Sequence, residues 1–205
     1  MWGTGMGDGA EPVPDTADVM FVLRRRTATA HTRLESVLQL TGHDLSVSRY
    51  RDVLMRMHGF YDLLEPRLDA MLDVPGSPVP DWPSRRKTPL LRRDLAVLGV
   101  AEATLAALPR PKVPAVPDVA AAMGVLYVFE GATLGGRFIV EQVASTEVPA
   151  AATAFFGSYG DEVGRRWSQL RHALRAWSGA DEARVAACAD TAEALFGALE
   201  VEFSR

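Results

Sequence analysis

The sequence predicts an all-α fold, a single compact bundle of about seven or eight helices. Three observations carry the expectation. Apolar residues recur at helical spacing from about Asp18 to the C-terminus. No stretch alternates as a strand does, and no repeat of 20–50 residues is visible. The prolines and glycines punctuate one domain, since neither half of the chain looks self-sufficient.

Residues 1–16, rich in Gly and Pro, are expected to form a flexible N-terminal arm, leaving 17–205 as the helical domain. Asp18 is a plausible N-cap for a first helix marked by Val19, Val22, Leu23, Ala30, Leu34 and Leu38, with Gly42 ending it. Ser46 or Ser48 can cap a second, through Tyr50, Leu54, Phe60, Tyr61, Leu64 and Leu68 to about Leu72, with a kink expected at Pro66. After a Pro/Gly stretch, residues 90–98 form a short helix ended by Gly99, and 101–108 another. A connector spaced by Pro109, Pro111, Pro114 and Pro117 leads to one long helix, 118–143. A further helix is expected from Pro149, disturbed around Gly157–Gly160 and resuming to Trp177. A last helix fills 181–203.

Bulk properties bound the function. A chain of 205 residues, 48% hydrophobic and 23% charged, suits one globular domain. A net charge of -4 gives no global pull towards nucleic acid or an anionic membrane, and neither is expected as a partner. The single cysteine, Cys188, excludes an internal disulfide framework and fits a reducing compartment. No uninterrupted apolar run reaches the roughly 18 residues of a membrane span, and Asp8 and Glu11 fall where a signal peptide would be apolar. The expected location is cytoplasmic.

The stretch Gly124–Gly136 reads as helix yet holds four glycines, each costing roughly 1 kcal/mol against alanine in a helix interior. Gly124, Gly131 and Gly135 share a narrow arc, with Gly136 to one side. This makes a bare face roughly 16 Å long at about 1.5 Å per residue. Such a face serves either close helix packing or the approach of something flat and broad.

The four histidines form no HExxH or Glu-x-x-His pattern, which argues against a zinc site and a bundle di-iron site. No phosphate loop and no Gly-x-Ser-x-Gly elbow occurs. His31 stands out because Glu35 lies one turn on, where its carboxylate can fix the imidazole tautomer and leave Nε2 free for a metal. Arg24, seven residues earlier on the same face, could hold an anion. The alternative is a surface His–Glu pair beside a solvated arginine run. Tyr127 shares the glycine face, to bind a ligand carboxylate or to pack in the core. His172, with Arg171 and Arg175, makes either a basic rim or a solvated face. His58 reads as a satisfied core histidine, His43 as a turn residue and Cys188 as buried packing.

Together these stretches resemble the haem oxygenase family in its bacterial form. The resemblance rests on Leu23–Glu35, on Tyr50–Leu68 with His58-Gly-Phe-Tyr and Leu64-Glu-Pro, on Asp94–Gly99, on Leu126–Gly136, and on Phe155–Gly160 followed by Trp167. It implies a haem, both substrate and cofactor, held between the His31 helix and the glycine-rich helix, where Gly131, Gly135 and Gly136 serve catalysis. His31 is implied as the iron ligand, Glu35 as its hydrogen-bonding partner, and Arg24, Tyr127 and His172 as haem-binding residues. The implied reaction uses O2 and electrons from a ferredoxin, flavodoxin or reductase to give biliverdin, CO and ferrous iron. A bacteriophytochrome is implied as biliverdin acceptor.

One position departs from the pattern. Many members carry Asp directly after the first glycine of the distal motif, where it organises proton-delivering water; here it is Ala132. Thr133, the backbone near Gly131 and ordered waters are the candidate replacements. A non-catalytic haem carrier or sensor, or a bundle that binds no haem, stand as the competing readings.

Overall fold

The computed structural model describes residues 18–38, 40 and 45–205, which form eight α-helices and no strand. The expected arm 1–16, the Gly42 stop and His43 lie outside the described residues.

Helix α1, Val19–Leu38, begins at Asp18, whose carboxylate accepts from the Met20 and Phe21 N–H groups at 2.7 and 3.1 Å. It buries Val19, Leu23, Thr27, Ala30 and Leu34, a stripe at helical spacing. Helix α2, Val47–Leu72, is capped by Ser46 and runs on through Pro66, which lies on an exposed turn. Helices α3, Thr88–Val97, and α4, Glu102–Ala107, follow as the spacing predicts, with Gly99 at φ 77° after α3.

The long glycine-rich helix is not continuous. Helix α5, Val119–Ala132, gives way to a 3-10 turn at Thr133–Gly135 before α6, Gly136–Val143. By length and composition alone the α5–α6 segment is apolar enough to cross a membrane, although Glu130, Arg137 and Glu141 interrupt it and leave no uninterrupted apolar run of that length. Here the 3-10 turn breaks it, and the buried residues of α5 lie in the core. The helix expected from Pro149 is also corrected. Residues 150–152 and 160–162 are isolated 3-10 turns, and helix α7 starts only at Val163, ending at Ser178. The backbone there is claimed from outside. Buried Asp94 accepts the Ala154 and Phe155 N–H groups at 2.9 and 2.7 Å, and the Tyr50 hydroxyl donates to the Ala152 carbonyl at 2.9 Å. Helix α8, Glu182–Phe203, closes the chain.

Helix α8 is central: both α1 and α5 pack along it. Arg26 reaches Asp190 and Glu193, and Arg33 reaches Glu200, so α1 and α8 run parallel. Gly124 marks where α5 meets α8. A Cβ there would stand 2.3 Å from the Cys188 carbonyl oxygen.

Candidate active site

The glycines divide into two kinds. Gly124 allows α5 to touch α8, and Gly136 allows the chain to touch the Phe156 carbonyl, 2.1 Å from where a Cβ would be. Gly131 and Gly135 are open: a Cβ on Gly131 meets only Trp167 Cη2 at 3.9 Å, and one on Gly135 meets nothing within 4 Å. The single bare face expected from the arc is therefore half packing and half open wall. Gly124→Ala and Gly136→Ala should each lose about 1–3 kcal/mol through overpacking, while Gly135→Ala should not lower the thermal midpoint; melting curves of the three variants check this.

Beside the open glycines the surface is apolar. Leu134 and Phe138 lie four residues apart and are 47% and 52% exposed. Trp167 of α7 reaches both Gly131 and Tyr127, the two rings 5.7 Å apart. Tyr127 is half-buried. Burial raises its phenol pKa, opposed by hydrogen bonding with Thr27 and by the charge of Arg24, both on α1. Tyr127 thus brings the distal helix to the first helix, and Arg24 sits at that junction, making no ion pair among the described residues.

His31 lies exposed on α1. Its Nδ1 is 3.5 Å from Glu35 Oε2 and its ring meets Phe196 of α8 edge-on at 5.8 Å. Glu35 and Phe196 therefore orient the ring, and no described residue hydrogen-bonds Nε2. His172, exposed on α7, places Nδ1 2.7 Å from the Ser168 carbonyl; no recorded contact joins it to Tyr127, Arg24 or Gly131. Its neighbour Arg171 is half-buried with Nε lacking a partner, and Arg175 pairs with Asp18 at 2.7 Å, tying α7 to the start of α1. His58 is 5% exposed with Nε2 3.4 Å from Arg92 Nε, a core histidine as expected, and Cys188 is fully buried.

The spacing gave no warning of a buried charge cluster behind Gly131. Glu130, 2% exposed, accepts from Tyr159 at 2.7 Å and lies 3.3 Å from Lys87 Nζ, while its other oxygen bonds Arg85. Arg85 also donates to Asp81 at 3.1 Å, and Lys87 to the Arg85 carbonyl at 2.7 Å. Burial pulls the Lys87 ammonium down from 10.5 to about 8, with Glu130 opposing. The available signal was Glu130 itself, the lone charge in an apolar run from Ala120 to Gly131. Ala132 is exposed, and the Thr133 hydroxyl donates to the Glu130 carbonyl at 2.6 Å.

The structure defines a helical protein with an exposed imidazole whose Nε2 has no described partner, an apolar surface at Leu134 and Phe138, and two open glycines on the glycine-rich segment. The comparisons with known proteins agree. The family described as Heme oxygenase matches residues 18–200. A heme oxygenase of Xanthomonas campestris pv. campestris (strain 8004) is 33% identical over 158 residues, covering 77% of this chain and 86% of that protein. The solved heme oxygenase of Leptospira interrogans superposes with a TM-score of 0.71 at 16% identity, covering 91% of this chain and 98% of that one, and shares the fold. The chain belongs to the haem oxygenase family. It is an enzyme that opens haem oxidatively to biliverdin, consuming O2 and electrons and releasing CO and ferrous iron.

Proposed function

We propose that haem is held between α1 and the Gly131–Gly135 turn, with His31 as the iron ligand. The observation that carries this is the His31 ring itself, exposed, fixed by Glu35 and Phe196, and free at Nε2. The residues present fit the group: Leu134 and Phe138 offer apolar contact, and the spaces over Gly131 and Gly135 admit a ring that a Cβ would obstruct. Bound haem supplies the iron at which O2 is reduced and the macrocycle that is opened.

The protein's own residues divide the remaining work. Glu35 accepts the Nδ1–H of His31, which fixes the tautomer and makes Nε2 more basic. Arg24 and Tyr127, on facing helices, bind the propionates by charge and by hydrogen bond; Arg171 and His172 extend that rim along α7. Gly131 and Gly135 keep side chains out of the space where O2 reacts, whereas Gly136, expected to share that role, packs against the Phe156 carbonyl; the 3-10 turn at 133–135 is the natural point for the wall to flex as product leaves. We place the enzyme in the cytoplasm, where its lone cysteine stays reduced. Its electron donor is a ferredoxin, flavodoxin or reductase whose acidic surface meets exposed Arg24 and Arg25, and a bacteriophytochrome takes up the biliverdin.

The test is reconstitution with haem, O2 and a reductant, followed by absorbance. Biliverdin is the expected product. Haem bound tightly but left intact would favour a carrier, and no Soret shift on haem addition would remove the site.

A further inference from the structure

We propose that Asp94 is a positioning residue for the haem site: it holds the Phe156 carbonyl against Gly136, and that contact sets where the open turn at Gly135 stands. The inference rests on the haem site proposed above.

The turn has one buried anchor. Of the residues from Thr133 to Gln142, only Gly136 is buried. Its backbone lies so close to Phe156 that a Cβ would overlap the Phe156 carbonyl oxygen. The next residue of the loop repeats the contact more loosely, since a Cβ on Gly157 would stand 3.8 Å from Val140 Cγ2 of α6. At its C-terminal end, the position of the 3-10 turn Thr133–Gly135 therefore depends on where the loop puts Phe156.

The loop itself is fixed by one carboxylate. Asp94 of α3 is fully buried and makes no ion pair among the described residues, a costly placement for a charge. Its two oxygens accept the Ala154 and Phe155 N–H groups, at 2.9 and 2.7 Å, in the two residues directly before Phe156. Both N–H groups belong to the stretch between the 3-10 turns at 150–152 and 160–162, which no helix orders. Burial raises the Asp94 carboxyl's pKa, and the two N–H groups lower it. Two further ties come from α2. The Tyr50 hydroxyl donates to the Ala152 carbonyl at 2.9 Å, and burial together with the nearby Asp94 charge raises the phenol's pKa, so it remains the donor. Tyr61 meets the Phe155 ring edge-on, with centroids 5.3 Å apart, and stacks on Phe129 of α5 at 3.8 Å. One side of the loop is thus tied to α2, α3 and α5, and the other side bears on α6.

A carboxylate suits this task because it accepts two N–H groups at once, one on each oxygen. An asparagine of the same shape turns its own N–H2 towards one of the backbone N–H groups and loses that bond. Phe156 is then free to withdraw from Gly136, and the turn that carries Gly135 shifts with it. The reaction depends on how closely this wall stands to the reacting edge of the ring, and a displacement of about 1 Å is enough to cost roughly 100-fold in rate. His31 and Glu35 stand on α1, and no described contact joins either of them to this loop, so ligation of the iron is left alone.

The experiment has two arms. In the protein without haem, amide NMR of Asp94→Asn should show the signals of Gly135 and Gly136 moved along with those of Ala154 and Phe155, and those of His31 and Glu35 in place. Tyr50→Phe loosens the same loop at Ala152; it should move the same glycines by less, and it serves if Asp94→Asn does not fold. Shifts confined to 150–157 in these variants overturn the proposal. In the haem complex, Asp94→Asn should keep the Soret band and bind haem within about 3-fold of the wild type, while biliverdin formation at saturating haem falls by about 10-fold or more. A role in stability alone would lower the melting midpoint and leave that rate unchanged at temperatures below it, which also overturns the proposal. Failure of the wild-type protein to show a histidine-ligated Soret band sinks the haem site itself, whereas a normal band with Gly135 and Gly136 unmoved sinks only the role of Asp94.

Discussion

His31→Ala protein will lose the Soret band of the histidine-ligated complex, and biliverdin formation will fall by at least about 100-fold. The effect is large because no other described side chain can take the iron. His58 is 5% exposed, packed against Arg92, and burial holds its pKa below the ordinary value. Cys188 is fully buried and its thiol is pushed up to about 12, which keeps it from being a thiolate ligand. His172 stands on α7, with Nδ1 2.7 Å from the Ser168 carbonyl. The alanine variant leaves a gap in front of Phe196 that free imidazole can enter, so adding imidazole should restore the band. Glu35→Gln should keep the band and weaken haem binding by about 10-fold, because it disturbs only the 3.5 Å contact to the ring nitrogen Nδ1. A His31→Ala complex with an unchanged spectrum would remove His31 from the site.

Glu130→Ala should destabilise the fold by about 3–5 kcal/mol, since it strands two buried cations at once. Arg85 is 2% exposed and loses its fully buried partner, keeping Asp81 and the Arg166 carbonyl; Lys87 keeps only the Arg85 carbonyl and the Tyr159 hydroxyl. For a domain of this size such a loss lowers the melting midpoint by roughly 10 °C or more. Glu130→Gln should cost less, because the amide still accepts hydrogen bonds. Combining Glu130→Leu with Arg85→Met and Lys87→Met should recover much of the stability lost in Glu130→Ala, as expected when charges are removed together rather than orphaned. Thermal melts of the set distinguish these outcomes.

How much of the site could be read in advance follows from how far apart its partners lie in the chain. His31 and Glu35 are one turn apart, so their pairing is a property of any helix over that stretch, and the 3.5 Å contact follows the spacing. The Asp18 and Ser46 caps were likewise legible, because a cap satisfies N–H groups two or three residues away. Glu130 was not legible in the same way. Its partners Arg85, Lys87 and Tyr159 lie 45, 43 and 29 residues distant, and no local pattern brings them together. The helix expected from Pro149 was misread for a related reason: its N–H groups are taken by Asp94, 60 and 61 residues away, and local propensity carries no sign of that claim.

The glycines of 124–136 draw the same line within one segment. By itself the sequence determined that the chain is helical, that α5 is apolar enough for the core, and that the segment could come close to something, because these depend on composition and period. Tertiary structure alone decided what each glycine approaches. Gly124 meets the backbone of α8, Gly136 meets Phe156, and Gly131 and Gly135 face open space. A missing Cβ permits contact without choosing a partner; the choice is made by which helix crosses at that level, and that crossing is set by the packing of α1 and α5 along α8.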